Sequence, residues 1–157
     1  MDELLSIREN TTSNLDLGGE GERLAANFLQ QNGYRIVLTN FTVPVGRNTK
    51  GVQVTGEIDI VALDAETLCF IEVKTRRSAD FTPVITAVDT RKQRQITRTA
   101  KIYRRIFGVY EMPYRFDVVT VVAPLNEPPL ITIKKAFWNE SKFRKRSWSF
   151  EAWQDHF

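Results

Sequence analysis

From Gly56 to Arg76 the chain reads GEIDIVALDAETLCFIEVKTR, and its apolar and polar positions keep the period of a strand. Ile58, Ile60 and Ala62 alternate with Glu57, Asp59 and Val61; Cys69, Ile71 and Val73 alternate with Phe70, Glu72 and Lys74. Asp64-Ala65-Glu66-Thr67 between them is polar, which predicts a tight connection and an antiparallel hairpin. Centring the turn between Ala65 and Glu66 sets Asp59 opposite Glu72 and Glu57 opposite Lys74.

Around this hairpin the pattern predicts further elements. Leu24, Ala25, Phe28 and Leu29 fall at helical spacing and predict a helix over about Glu20 to Gln31, stopped by Asn32-Gly33. Tyr34 to Val43 is rich in β-branched residues and predicts a strand, followed by a loop over Pro44 to Gly51. Ser78 to Pro83 is turn-rich. A second helix runs from Asp89 or Thr90 to Phe107, with Ile96, Ala100, Tyr103 and Phe107 as its buried stripe and Gly108 at its end. Arg115 to Ala123 predicts a strand buried on both faces, and Leu130 to Ala136 an edge strand after Pro128-Pro129. Met1 to Leu17 lacks a sustained period and reads as a loosely docked leader. The tail from Phe137 to Phe157 interleaves Trp138, Phe143, Trp148, Phe150 and Trp153 with basic residues. Its composition suits base stacking and phosphate contact as well as docking on the domain or a second subunit.

Composition narrows the class. A chain of 157 residues with 42% hydrophobic and 26% charged positions is expected to form one ordinary globular domain. Cys69 is the only cysteine and His156 the only histidine, so neither a disulfide nor a zinc cage of those residues can form within the chain. The start of the chain lacks the pattern of a signal peptide, and no run approaches about 18 apolar residues, so a soluble, cytoplasmic protein is expected. The net charge of +3 permits a polyanionic partner, and its clustering says more. Arg91, Lys92, Arg94, Arg98, Lys101, Arg104 and Arg105 share the second helix with one acid, Asp89, which favours a phosphate-contacting surface over a merely solvated face.

Like charges directly opposed across a hairpin repel. Asp59 and Glu72 therefore call for a cation between them, and Mg²⁺ or Mn²⁺, which prefer oxygen ligands, fit best. The Val73 carbonyl is a candidate third ligand. Lys74 lies on the Glu72 face, suited to orient a water or to stabilise charge developing on a phosphate. Glu22 joins the candidates if its helix packs on the hairpin, although a carboxylate in a first helical turn is also favoured by the dipole alone. The competing reading is a solvated charged face with a Glu57–Lys74 ion pair.

Glu22, Gly56-Glu57-Ile58-Asp59 and Phe70-Ile71-Glu72-Val73-Lys74, in that order, resemble the PD-(D/E)XK nuclease core. More narrowly, with Gly21, Gly33-Tyr34, Asn40, Lys92 and Arg115-Phe116-Asp117-Val118-Val119, the chain is similar to the YraN-like predicted endonucleases, relatives of archaeal Holliday junction resolvases. The resemblance implies a restriction-endonuclease-like three-layer α/β/α core with a mixed central sheet. It also implies Asp59 and Glu72 as metal ligands, Lys74 as catalytic lysine, Glu22 as supporting acid and DNA as substrate, with branched or junction DNA in repair or recombination among the candidates. Arg76, Lys92, Arg94, Arg98 and Lys101 are the expected nucleic-acid contacts. RNA remains compatible with a site that contacts phosphate rather than base, and a homodimer is compatible with resolvase kinship. The alternative is a non-cutting nucleic-acid-binding module of the same fold.

Overall fold

The computed structural model describes residues 2–78 and 88–144, with the side chains of residues 2–16 outside that description. A long helix α1 (Asp2–Gln31) leads into strands β1 (Arg35–Arg47), β2 (Gln53–Asp64) and β3 (Thr67–Arg76). Helix α2 (Thr90–Ile106) then precedes β4 (Tyr114–Val122), β5 (Leu130–Trp138) and a 3₁₀ turn over Glu140–Phe143. The strands form one sheet in the order β1-β2-β3-β4-β5. Only β3 and β4 run parallel, because α2 lies in the crossover between them, and the other neighbours are antiparallel.

Among the described residues each sheet face buries one helix, and strand alternation sorts most residues between them, except that Ile58 and Ile60 of β2 fall on opposite faces. Ala25 and Leu29 of α1 pack with Ile60, Ala62, Cys69, Ile71, Val73, Val119 and Val121. On the other face Ile96, Ala100 and Tyr103 of α2 pack with Ile58, Val61, Phe70, Phe116 and Val118. The result is the three-layer α/β/α core with a mixed sheet that the resemblance implies. Strand β4 is buried along most of its length, and β5 is an edge, as the sequence patterns predict. Asp89 caps α2 by accepting a hydrogen bond from the Lys92 amide, and Gly108 takes φ 66 just past its end.

Several boundaries differ from expectation. Helix α1 begins at Asp2 rather than near Glu20, so Glu22 lies well inside it and the first-turn dipole argument does not apply. Pro44 to Arg47 belongs to β1, because a register shift between Pro44 and Gly46, with Gly46 at φ 134, absorbs the proline. Strand β5 continues through Phe137 and Trp138. Trp138 stacks on Phe116 with ring centroids 4.8 Å apart and donates its indole N–H to Thr97 Oγ1 at 2.9 Å. Phe107 is exposed at the α2 C-cap, outside the buried stripe predicted for it. The turn expected over Ser78 to Pro83 falls, beyond Ser78, outside the described residues. So does the tail from Lys145 onward, with Trp148, Phe150 and Trp153.

Candidate active site

The β2–β3 hairpin has the expected register but opens early. Its ladder pairs Asp64 with Thr67 through Ile60 with Ile71 and goes no further. One residue beyond, the Asp59 carboxylate takes the place of a strand carbonyl, accepting the Val73 amide proton on Oδ2 at 2.8 Å. The two strands fork at that point. From Gln53 to Asp59, β2 pairs only with β1. The Glu57–Lys74 cross-strand pair expected from sequence is therefore not formed: Glu57 Oε1 accepts from Asn40 at 3.4 Å, and Lys74 turns to Glu72.

Two glycines let the helices close on the fork. A Cβ on Gly21 would lie 1.8 Å from Thr75 Oγ1, so only glycine permits α1 to approach β3 closely enough to bring Glu22 beside the hairpin. A Cβ on Gly56 would lie 2.0 Å from Thr99 Oγ1, and the same argument seats α2 against β2. Gln95 then donates to the Thr55 carbonyl, and Arg98 to that of Val45, fixing the β1–β2 arm to α2.

Glu72 is the buried centre of the site, only 3% exposed. Its Oε1 lies 3.0 Å from Lys74 Nζ and 3.8 Å from Lys92 Nζ, while its Oε2 is buried without a hydrogen-bond partner. A buried carboxylate oxygen left unpaired is costly, and such an atom marks a place where a further donor or cation fits. The Asp59 carboxyl is raised from 3.8 to about 7, first by burial and then by the negative charge of Glu72, with a smaller push from Glu22 and an opposing pull from the Val73 amide. The fork thus holds two carboxylates that cannot comfortably ionise together. Among the described residues no group of three or more His, Cys, Asp and Glu side chains is arranged to hold a metal ion.

The expected residues divide by position. Asp59, Glu72 and Lys74 come together at the fork, with the Val73 backbone between Glu72 and Lys74. Glu22 stands at its α1 side, near enough for its charge to act on Asp59. Lys92 reaches Glu72 from the first turn of α2, closer to the site than its expected place on an outer phosphate-contacting surface. Arg76 follows Lys74 on the same strand face, opposite Val122 of β4. Arg94, Arg98 and Lys101 are exposed along α2. Arg91, Arg94 and Arg98 line a groove of about 180 Å³ with Val45, Val54 and Gln95.

Arg104, Asp117 and Cys69 serve the fold. Arg104, read as part of the basic line, is buried, with its guanidinium 3.8 Å from the Tyr114 ring centroid and 3.5 Å from Glu140 Oε2. Asp117 is fully buried; Arg115 Nε donates to both its oxygens at 3.0 Å, and the Ala136 amide donates to Oδ1 at 2.9 Å. It braces the irregular β4–β5 pairing. Cys69 is a buried structural thiol, pushed up to about 12 mainly by burial. The side chain that sequence reading left without a role is Asn40, whose Nδ2 donates to Glu22 Oε2 at 2.9 Å and also to Glu57. Its signals in the sequence are its place among the residues that carry the resemblance and a poor strand former within a β-branched run.

A mixed-sheet α/β/α core with two carboxylates and a lysine at a hairpin fork is consistent with the PD-(D/E)XK-like nuclease superfamily. The chain belongs to a family described as uncharacterised protein family UPF0102, whose model matches residues 21–121. It is 44% identical over 108 residues to a UPF0102 protein of Chlorobium phaeobacteroides (strain BS1), covering 69% of this chain and 78% of that one. A UPF0102 protein of Prosthecochloris aestuarii (strain DSM 271 / SK 413) is 40% identical over 131 residues, covering 80% and 95%. A solved chain described as the crystal structure of SSO0001 is similar with a TM-score of 0.40 and 17% identity, over 89% of this chain and 60% of that one.

Proposed function

We propose that the protein is a metal-dependent endonuclease that hydrolyses phosphodiester bonds in DNA, with branched or junction DNA among the candidate substrates. The observation that carries this reading is Glu72: a buried carboxylate with two lysines on one oxygen, no partner on the other, and Asp59 beside it. Asp59, Glu72 and the Val73 carbonyl would hold Mg²⁺ or Mn²⁺, a set of two carboxylates and one backbone oxygen that leaves further positions to water. When bound, the cation supplies a Lewis acid for the scissile phosphate.

The chain's own groups do the rest. The Lys74 ammonium, fixed by Glu72, can donate hydrogen bonds to an attacking water and to a non-bridging phosphate oxygen as charge develops there. Lys92 adds a second positive charge on the same side of the fork. Glu22, at the opposite side, can accept a proton or a hydrogen bond from a water entering between α1 and the hairpin. Arg91, Arg94 and Arg98 on the groove beside the β1–β2 arm supply phosphate contacts that hold the duplex without reading its bases.

The test is cleavage of labelled linear, single-stranded, flapped and four-way-junction DNA in Mg²⁺, Mn²⁺ or EDTA, comparing wild type with a Glu72→Ala, Lys74→Ala double variant. Cutting that requires the metal and is lost in the variant is the expected result, and the substrate ranking then defines the class. Binding without cutting in every metal would replace the enzyme by a nucleic-acid-binding module.

A further inference from the structure

Asn40 combines an unusual backbone conformation with a side chain that touches two carboxylates. It lies inside β1 between the pairs Thr39–Ile60 and Phe41–Ile58, which places it opposite Asp59, and the register is continuous through it. Yet its φ is 53, in the left-handed region that costs an L residue energy and that asparagine tolerates better than most. Among the described residues the other non-glycine residues at positive φ, Ala65 and Ala136, sit at a hairpin turn and at an irregular strand pairing, where geometry explains them. At Asn40 the chain also changes face, since Ile60 packs on the α1 side and Ile58 on the α2 side, and the side chain adds a specific contact. Its Nδ2 donates to Glu22 Oε2 at 2.9 Å and to Glu57 Oε1 at 3.4 Å, so one NH₂ group bridges carboxylates from α1 and β2. Aspartate could make neither donation, and glycine would suit the backbone but leave both carboxylates unheld.

We propose that Asn40 is a positioning residue that holds the Glu22 carboxylate against the Asp59 side of the fork. The inference rests on the reading of Glu22, Asp59 and Glu72 as one site. Glu22 arrives on a helix from outside the sheet, and without a donor between them Glu22 and Glu57 would repel each other away from the fork. The Asn40 amide converts that repulsion into a shared contact. Residues in sparsely populated backbone regions cluster at active sites. Partners that orient metal-site carboxylates in this way typically influence affinity or activity about 10–100-fold.

The experiment uses the full chain with Asn40→Gly, Asn40→Asp, Glu22→Gln and the Asn40→Gly, Glu22→Gln double variant. Each is measured for thermal midpoint, Mn²⁺ affinity by calorimetry and DNA cleavage. Asn40→Gly relieves the backbone, so its midpoint should not fall, while Mn²⁺ affinity and cleavage should drop about 10-fold or more; Asn40→Asp should lose at least as much. In the Glu22→Gln background, Asn40→Gly should cost nothing further. Wild-type affinity and rate in Asn40→Gly, or an equal added loss in the Glu22→Gln background, would overturn the assignment. If the wild type neither binds Mn²⁺ nor cuts, the nuclease reading fails, and a crystal structure of Asn40→Gly decides the positioning role by itself. A Glu22 carboxylate displaced from Asp59 supports it, and one that has not moved refutes it.

Discussion

Replacing Asp59 by asparagine should make the metal-free protein less sensitive to pH. In the folded state the Asp59 carboxyl is held at about 7 against an ordinary 3.8, so between those values the native protein keeps a proton that the unfolded chain has released. Unfolding then releases a proton, and stability falls as pH rises. The contribution is fully present below the unfolded value and is gone once pH passes the folded one. At about 1.4 kcal/mol for each pH unit, the interval from 3.8 to about 7 integrates to roughly 4 kcal/mol, of which roughly 2–3 kcal/mol falls above pH 5. Asparagine matches the protonated acid in shape. Its carbonyl can still accept from Val73, its NH₂ can donate towards Glu72, and it does not titrate. Urea unfolding in EDTA at several values between about pH 5 and 8 should therefore show the wild type losing roughly 2–3 kcal/mol that the variant retains. The comparison cancels groups common to both chains, including His156. Parallel curves for the two proteins would refute the claim that Asp59 is buried as an acid beside Glu72.

Gly21→Ala should destabilise the protein by about 1–3 kcal/mol, because the added methyl meets Thr75 Oγ1 at 1.8 Å; equilibrium unfolding measures it, and a cost below about 0.5 kcal/mol would mean that α1 is free to move off β3. Replacing Arg94, Arg98 and Lys101 together by alanine should weaken DNA binding and flatten its salt dependence by about 0.9 in log–log slope for each phosphate no longer neutralised. An unchanged slope would remove α2 from the interface. Within that set, Arg98→Ala alone should also lower stability, since its guanidinium donates to the Val45 carbonyl.

What the sequence made legible was local in the chain. Period-2 alternation with a short polar turn specified the β2–β3 register as far as Ile60–Ile71, so spacing alone could bring Asp59 and Glu72 near each other at the end of the ladder. Helical spacing with Asp89 and Gly108 at the ends bounded α2 nearly to the residue. What escaped depended on partners far away in sequence. Arg104 reads as one more charge on a basic helix; only the arrival of Tyr110, Tyr114 and Glu140 buries it. Pro44 and Gly46 read as loop residues, yet the register shift between them lets β1 continue. Glu57 and Lys74 looked like a pair because alternation was extended past Ile60, where the Asp59 carboxylate in fact captures the Val73 amide and ends the ladder. A buried side chain that takes a backbone hydrogen bond interrupts regular pairing, so extrapolated regularity fails first where such side chains gather.

The two-stranded arm built from β1 and the start of β2 gives the molecule a division of labour. Beyond the fork this arm leaves the sheet, and Gln95 and Arg98 tether it to α2 through the carbonyls of Thr55 and Val45. The groups proposed to cut lie where β2 and β3 part in the middle of the sheet, whereas the arm projects beside them. On the proposed function, lengthening the tip around Asn48–Val52, or moving a tether by one helical turn, is expected to change which DNA geometry reaches the fork while leaving Asp59, Glu72 and Lys74 in place. One scaffold could in this way be fitted to ends, flaps or junctions by changing its reach alone.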